Sequence, residues 1–322
     1  MMSIVVMRRW PRFLRIAVFL VASYLGCVIM LAFLQRSFIY HPRRESPIDP
    51  SAAELPLGRV HSVCIEAEDG VHLNGWHIIP RHERATTTEA CDRVLSSGRW
   101  LVLYFSGNAA NRQVRAPEFS VLTDEGANVF LFDYRGYGDN RGSPSETHLA
   151  ADAWAVWRYA TRDRNVPTDR VVFYGESLGG GVAVRLAAEL SEAGTPPAGL
   201  ILRSTFSSLV DAAAYHFPWA PVRWMLVDRY PSIDRIPQVT CPILQIHGRR
   251  DRIVPFTMAS RLFGAAPDVA ANGLRKRFVE LPDAGHNDIL YVAEPELRRA
   301  VREFFQDLEK VSGTFLGREN GS

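Results

Sequence analysis

Apolar residues recur along this chain at two periods, and the two alternate. Six short continuous apolar runs stand out: WLVLYFSG at 100–107, NVFLFDY at 128–134, RVVFYG at 170–175, AGLILRS at 198–204, PILQIHG at 242–248 and RFVELP at 277–282. Their length and their β-branched and aromatic content predict strands buried on both faces of a parallel sheet. Between them, residues 112–125, 145–163, 178–193 and 294–309 read as helices, with Ser145 placed to cap the second. This alternation predicts an α/β fold, a mostly parallel central sheet with helices on both faces and right-handed crossovers. Ahead of it, VHSVCIEAEDGVHLNGWHIIP (60–80) reads as an edge hairpin turning at Asp69 and Gly70. Residues 81–99, polar and rich in Thr and Ser, are expected to form a surface loop.

The N-terminus has a different pattern. LRIAVFLVASYLGCVIMLAFL (14–34) carries a single charge, Arg15. Crossing a bilayer as a helix takes about 20 apolar residues, and Ile16 to Leu34 nearly suffices alone. A cleaved signal peptide is the competing reading, but its apolar core would be about 7–15 residues, followed by a small-residue cleavage site. This run is longer and shows no A-x-A before Gln35. The expectation is an uncleaved N-terminal transmembrane helix within residues 1–35, one catalytic domain over 36–310 and a flexible tail over 311–322. Arginines flank the run on both sides, so the side on which the soluble domain lies stays open.

Composition narrows the function. With 322 residues, 47% of them hydrophobic, the chain can bury one large core. The net charge of +2 is spread over interspersed signs, and no basic stripe is interleaved with aromatics. Nucleic acid is therefore not an expected partner. The four cysteines have no CxxC or zinc spacing, and neither a metal nor an organic cofactor is expected. Cys64 and Cys91 are read either as a disulfide or as unpaired thiols.

The chemistry is expected at GESLG (175–179), a G-x-S-x-G motif that follows a predicted strand and opens a predicted helix. So tight a strand-to-helix turn leaves no room for side chains two residues either side of the serine. Ser177 would project over the sheet edge, backed by the free N–H groups of a helix start. A serine hydroxyl needs a base, and the base needs an orienting group. After Ser177, HGRRDRIVP (247–255) places Asp251 beyond one strand, and LPDAGHND (281–288) places His286 beyond the last. Asp228, Asp283 and Asp288 are alternative acids; His216 and His247 are less well placed as the base. Two backbone N–H groups would hold the oxyanion, one from Leu178 and one from Asn108 in FSGNAANR (105–112).

On these residues the chain resembles the α/β-hydrolase superfamily, and more narrowly its membrane-anchored members, some of them esterases and others acyl-protein thioesterases. The resemblance runs from about Arg36 to Phe305 and rests on QRSFIYHP, YFSGNAANR, DYRGYGDNRGSPSE, YGESLGGGVA, PILQIHGRRDRIVP and GHND, in that order. It implies the α/β-hydrolase fold and a Ser177–His286–Asp251 triad. Two positions depart from the family pattern. Ser106 stands where a histidine usually opens the oxyanion loop, and Tyr-Gly-x-Ser reads Tyr137-Gly138-Asp139-Asn140.

The segment 204–237, rich in aromatics and broken by prolines, reads either as a cap over the site or as a surface helix packed on the sheet. With a membrane anchor beside it, the substrate expected is a small or lipid-like acyl ester or thioester, hydrolysed by a serine hydrolase through an acyl-enzyme. A serine peptidase using the same triad, or a non-enzymatic membrane-tethered scaffold, are the alternatives.

Overall fold

Residues 11–319 are described by a computed structural model. The apolar N-terminal run forms one 28-residue helix, α1 (Arg12–Ile39), with mean hydropathy 2.5 over its most apolar window, none of which is buried against protein. By length and composition it can cross a membrane.

The hairpin is β1 (Val60–Glu66) and β2 (His72–Ile78), paired antiparallel, with Gly70 supplying the positive φ of 77° that the turn requires. The polar stretch expected as a loop contains α2 (Thr88–Ser97) instead. Thr87 caps it by accepting from the Ala90 N–H, while Cys91 and Leu95, one turn apart, point inward. Two buried positions in ten are too few to register as periodicity.

The remaining elements follow the expected alternation: β3 (Trp100–Phe105), α3 (Ala116–Thr123), β4 (Ala127–Phe132), α4 (Glu146–Arg158), β5 (Val171–Glu176), α5 (Leu178–Glu192) and β6 (Gly199–Arg203). Then come α6 (Leu209–His216), α7 (Val222–Met225), β7 (Ile243–Gly248), α8 (Phe256–Ala265), β8 (Arg277–Leu281) and α9 (Glu294–Glu319). Ser145 caps α4 through the His148 N–H, as its position predicts. α9 continues past its expected end near 309, through most of the stretch expected as a tail.

The eight strands lie in the order β8-β7-β6-β5-β3-β4-β2-β1, with only β2 antiparallel to its neighbours. Alternate residues of each strand face opposite layers. Leu101, Leu103 and Phe173 pack with Leu149, Val182 and Leu186 of α4 and α5; Val102, Tyr104 and Tyr174 pack with Phe119 of α3 and with Val301 and Phe305 of α9. Each such side chain contributes about 1.5–3 kcal/mol by burial. This double-sided core fixes the strands whose carboxyl ends carry the site.

Candidate active site

Ser177 sits between β5 and α5 with φ 50° and ψ −114°, a conformation L-residues rarely adopt. The flanking glycines explain how the chain tolerates it. A Cβ on Gly179 would fall 2.0 Å from the Phe105 carbonyl oxygen, and one on Gly175 would fall 2.6 Å from Gly180 Cα. Gly180 is equally pressed, against the Thr205 side chain. The turn is then pinned: the Ser177 N–H donates to Arg203 O at 2.8 Å, and the Thr205 hydroxyl donates to Ser177 O at 2.8 Å.

Loops after β7 and β8 bring in the other two groups. His286 Nε2 lies 3.0 Å from Ser177 Oγ, and its Nδ1 lies 2.6 Å from Asp251 Oδ2. Asp251 is buried, and its other oxygen accepts the N–H groups of Ile253 and Val254 at 2.8 and 2.7 Å. Three residues from distant parts of the chain therefore share one continuous line of contacts. The alternatives lie elsewhere. Asp228 binds Arg36 and Tyr40, Asp283 binds Arg250, and Asp288 shapes the histidine loop by accepting the Gly285 N–H. His247 does lie beside the site but is fully buried behind it, its Nε2 2.8 Å from Val254 O and 3.3 Å from Asp251 Oδ2, and burial lowers its pKa.

Beside Ser177 lies a pocket of about 250 Å³ lined by Asn108 and Leu178, by Phe206, Leu209, Phe217 and Met225 of the 204–237 segment, and by residues of α1. Its wall is almost wholly apolar. The segment's aromatics therefore serve both purposes weighed from the sequence, since some pack down on the sheet and others line this pocket.

Comparison with known proteins decides the family. A family model described as serine aminopeptidase, S33 matches residues 96–233. The uncharacterized protein Rv2307c of Mycobacterium tuberculosis is similar at 40% identity over 288 residues, covering 89% of this chain and 92% of that one. The lysophosphatidylserine lipase ABHD12 of Mus musculus is 31% identical over 271 residues, covering 77% of this chain and 67% of its own. Among solved structures, the Pyrococcus furiosus esterase Pf2001 shares the fold, with a TM-score of 0.60 at 20% identity over 83% of this chain and 98% of that one. The chain belongs to the α/β-hydrolase superfamily. Its reaction class is hydrolysis.

The hydrolase also contains functional elements that its sequence hid. The 105–112 loop, expected to carry an oxyanion donor and lacking the usual histidine, is held from outside its own motif. The Tyr134 hydroxyl donates to Ser106 O at 2.9 Å and the Tyr137 hydroxyl to Asn108 O at 2.7 Å. The His41 N–H also donates to Asn108 O, and a short parallel pairing joins His41–Pro42 to Ala109–Ala110. The Asn108 side chain donates in turn to Ile39 O. DYRGYG thus works as scaffolding for that loop. At the second departure, Asp139 binds Arg112 while Asn140 bridges the Asn74 N–H and Asp133 O.

Beneath Ser177, the buried Glu176, Tyr104 and Arg203 cluster with the partly buried Arg115 and Glu118. Arg115 reaches Glu176 at 2.7 Å, and Arg203 reaches Glu118 at 2.8 Å and Glu176 at 3.1 Å. Burial alone would raise the Glu176 pKa, but the two guanidiniums overrule it and hold the carboxyl ionised. Burial wins at Glu118, whose pKa is raised. Arg115 also donates to Ala109 O, so the same cluster braces both the Ser177 turn and the 105–112 loop. The only sequence signal for it was a glutamate ending an otherwise apolar strand.

All four cysteines are unpaired. Cys91 Sγ lies 3.2 Å from His77 Nδ1, and His77 Nε2 lies 2.8 Å from Asn128. This Cys–His–Asn line is not a second nucleophilic site. Burial pushes the thiol up to about 11 and the imidazole down to about 3, so both stay neutral.

Proposed function

We propose that this protein is a membrane-anchored serine hydrolase that cleaves the acyl ester of a lipid carrying one long chain, through an acyl-enzyme on Ser177. The observation that carries the reading is that one imidazole, that of His286, touches both the Ser177 hydroxyl and the Asp251 carboxylate. Ser177 Oγ attacks the ester carbonyl as its proton passes to His286 Nε2. Asp251, accepting from Nδ1, holds the ring and offsets its positive charge. The oxyanion takes hydrogen bonds from the N–H groups of Leu178 and Asn108. The Nε2 proton then goes to the leaving oxygen, releasing the alcohol. Water, deprotonated by His286, attacks the acyl carbonyl, and the proton returns to Ser177 Oγ as the fatty acid leaves.

The apolar pocket supports an acyl group as the bound portion. Its roughly 250 Å³ lies just below the range of about 300–1,000 Å³ usual for drug-sized ligands, which favours a single chain over a diacyl body. The similarity to a lysophosphatidylserine lipase points the same way. The family description naming an aminopeptidase favours a second reading, cleavage of peptides from a free N-terminus. That reading needs a carboxylate near the site to hold the substrate ammonium. Among the described residues lining the pocket there is none.

A fluorophosphonate probe should label the wild-type protein and leave Ser177→Ala unlabelled; equal labelling of both would eliminate Ser177 as nucleophile. A chain-length series of esters and thioesters would then set the leaving-group preference. Faster turnover of aminoacyl amides than of any ester would overturn the lipid reading.

A further inference from the structure

α1 does more than tether the domain. Resting on the acyl-hydrolase reading above, we propose that its C-terminal half forms one wall of the acyl pocket, and that the substrate chain reaches Ser177 sideways from the bilayer, between α1 and the 204–237 segment.

Four observations converge on this. First, the residues in the C-terminal half of α1 that are shielded rather than exposed are Cys27, Val28, Leu31, Ala32, Gln35 and Ile39. Their three- and four-residue spacing makes a single stripe, while Phe13, Phe19, Leu20 and Phe33 face outward.

Second, that stripe is clamped by polar contacts. The Tyr24 hydroxyl donates to Trp219 O at 3.0 Å. Gln35 accepts the Val227 N–H at 2.7 Å and donates to Met225 O at 3.3 Å, satisfying backbone groups at the end of α7. Arg36 and the Tyr40 hydroxyl both bind Asp228. Where water is excluded, pairing of this kind is obligatory, which accounts for a glutamine so close to a lipid-facing run.

Third, Leu31, Gln35, Phe38 and Ile39 line the same pocket as Ser177 and Asn108.

Fourth, the depths match. At 1.5 Å per residue, Tyr24 lies about 18 Å along the helix from Arg36, the first charge after the apolar run and here taken as the membrane boundary. A hydrocarbon core is about 30 Å thick, so the Trp219 contact reaches roughly the middle of the bilayer. The segment there presents Tyr215, Trp219, Trp224 and Val227 outward, with Trp224 90% exposed. In water this would be a costly apolar patch; within one leaflet it is a solvated surface.

A boundary drawn at residue 35 therefore cuts through the pocket, because Leu31 and Gln35 belong to its wall.

The test uses the full chain in phosphatidylcholine vesicles, comparing kcat/KM for p-nitrophenyl palmitate and p-nitrophenyl butyrate. Leu31→Trp, which fills the wall, should lower the palmitate-to-butyrate ratio at least tenfold, and Phe38→Ala, which widens it, should raise the ratio. Melting temperatures report whether each variant folds. Unchanged ratios in both variants, with the wild type labelled by fluorophosphonate, would overturn the pocket-wall assignment. A wild type that neither labels nor turns over either ester would instead overturn the acyl-hydrolase reading, and this one with it. In the second arm, phosphatidylcholine brominated at mid-chain should quench tryptophan emission, and W219F/W224F should remove most of that quenching. Quenching unaltered by the double variant would refute access from the leaflet.

Discussion

Replacing Gly179 by alanine should cripple the site while adding only a methyl group. The new Cβ would stand 2.0 Å from the Phe105 oxygen, 2.4 Å from its carbonyl carbon and 2.6 Å from the Ser106 oxygen, where 3.4 Å is the start of ordinary contact. All three atoms are backbone at the end of β3, a central strand, so no side chain can swing aside. Either α5 lifts away or the loop after β3 retreats. The first movement carries Ser177 and Leu178, and the second carries Asn108. In both cases Asn108 separates from Ser177 and Leu178 by about 1 Å, a misplacement that costs on the order of 10²-fold in rate. Overpacking of this kind should also cost about 1–3 kcal/mol of stability. The control is Gly264→Ala in α8, where the added methyl meets nothing within 4 Å. That change should be neutral or stabilise by up to about 1 kcal/mol, the helix-propensity difference. Turnover of p-nitrophenyl butyrate and the rate of fluorophosphonate labelling, measured on both variants in detergent, check the contrast. Gly179→Ala with kcat within twofold of wild type would refute the steric argument and the two-donor oxyanion site together.

Asp251→Asn should lower kcat by about 10⁴-fold, because the amide favours the wrong tautomer of His286; a loss under tenfold would assign Asp251 a packing role only. Tyr137→Phe removes one of two donors to Asn108 O and should reduce kcat about tenfold with little change in KM, and a change confined to KM would show that the loop is held otherwise. His77 is neutral when folded down to about pH 3 but takes up a proton near 6.5 when unfolded. The unfolded chain therefore binds the extra proton between those values, and stability falls as pH drops through that window. At pH 4 this group costs about 3 kcal/mol, so denaturant unfolding should show wild type losing that much more than His77→Gln between pH 7 and pH 4; parallel losses would refute it. In the folded protein, iodoacetamide should modify exposed Cys64 and spare buried Cys91, whereas equal rates would contradict the burial of Cys91.

The sheet was legible in the sequence because its strands are buried on both faces, and such strands appear as unbroken apolar runs bounded by turns. The tight serine turn was legible because its geometry demands glycine, and glycine leaves a mark. What stayed hidden depends on pairing across the fold. α2 buries only Cys91 and Leu95 and is otherwise polar. Tyr134 and Tyr137 stand in a motif that carries the family resemblance, but nothing local says which carbonyls their hydroxyls reach. Glu176 and Arg203 each end an apolar strand as a lone charge, and only the register of β5 against β6 makes them partners. The division of α1 into an exposed apolar face and a pocket-facing stripe was hidden too, because both are built from the same side chains.

The serine at position 106 shows how such pairing preserves a site through a change in its motif. A side chain opening the oxyanion loop can position it only by bonding to neighbouring groups, and other residues can supply those bonds. Here the loop's carbonyls are taken by Tyr134, Tyr137, the His41 N–H and Arg115, which come from three separate parts of the chain. With its carbonyl doubly held, the peptide joining Asn108 to Ala109 is fixed, and this restrains the Asn108 N–H on the other side of the same Cα. One of these holds, the His41 N–H, and the bond from the Asn108 side chain to Ile39 O come from the C-terminal end of α1 and the residues just after it. Loss of a loop side chain is therefore tolerated as long as α1 stays docked, and any change that undocks α1 loosens the oxyanion loop as well as the pocket wall.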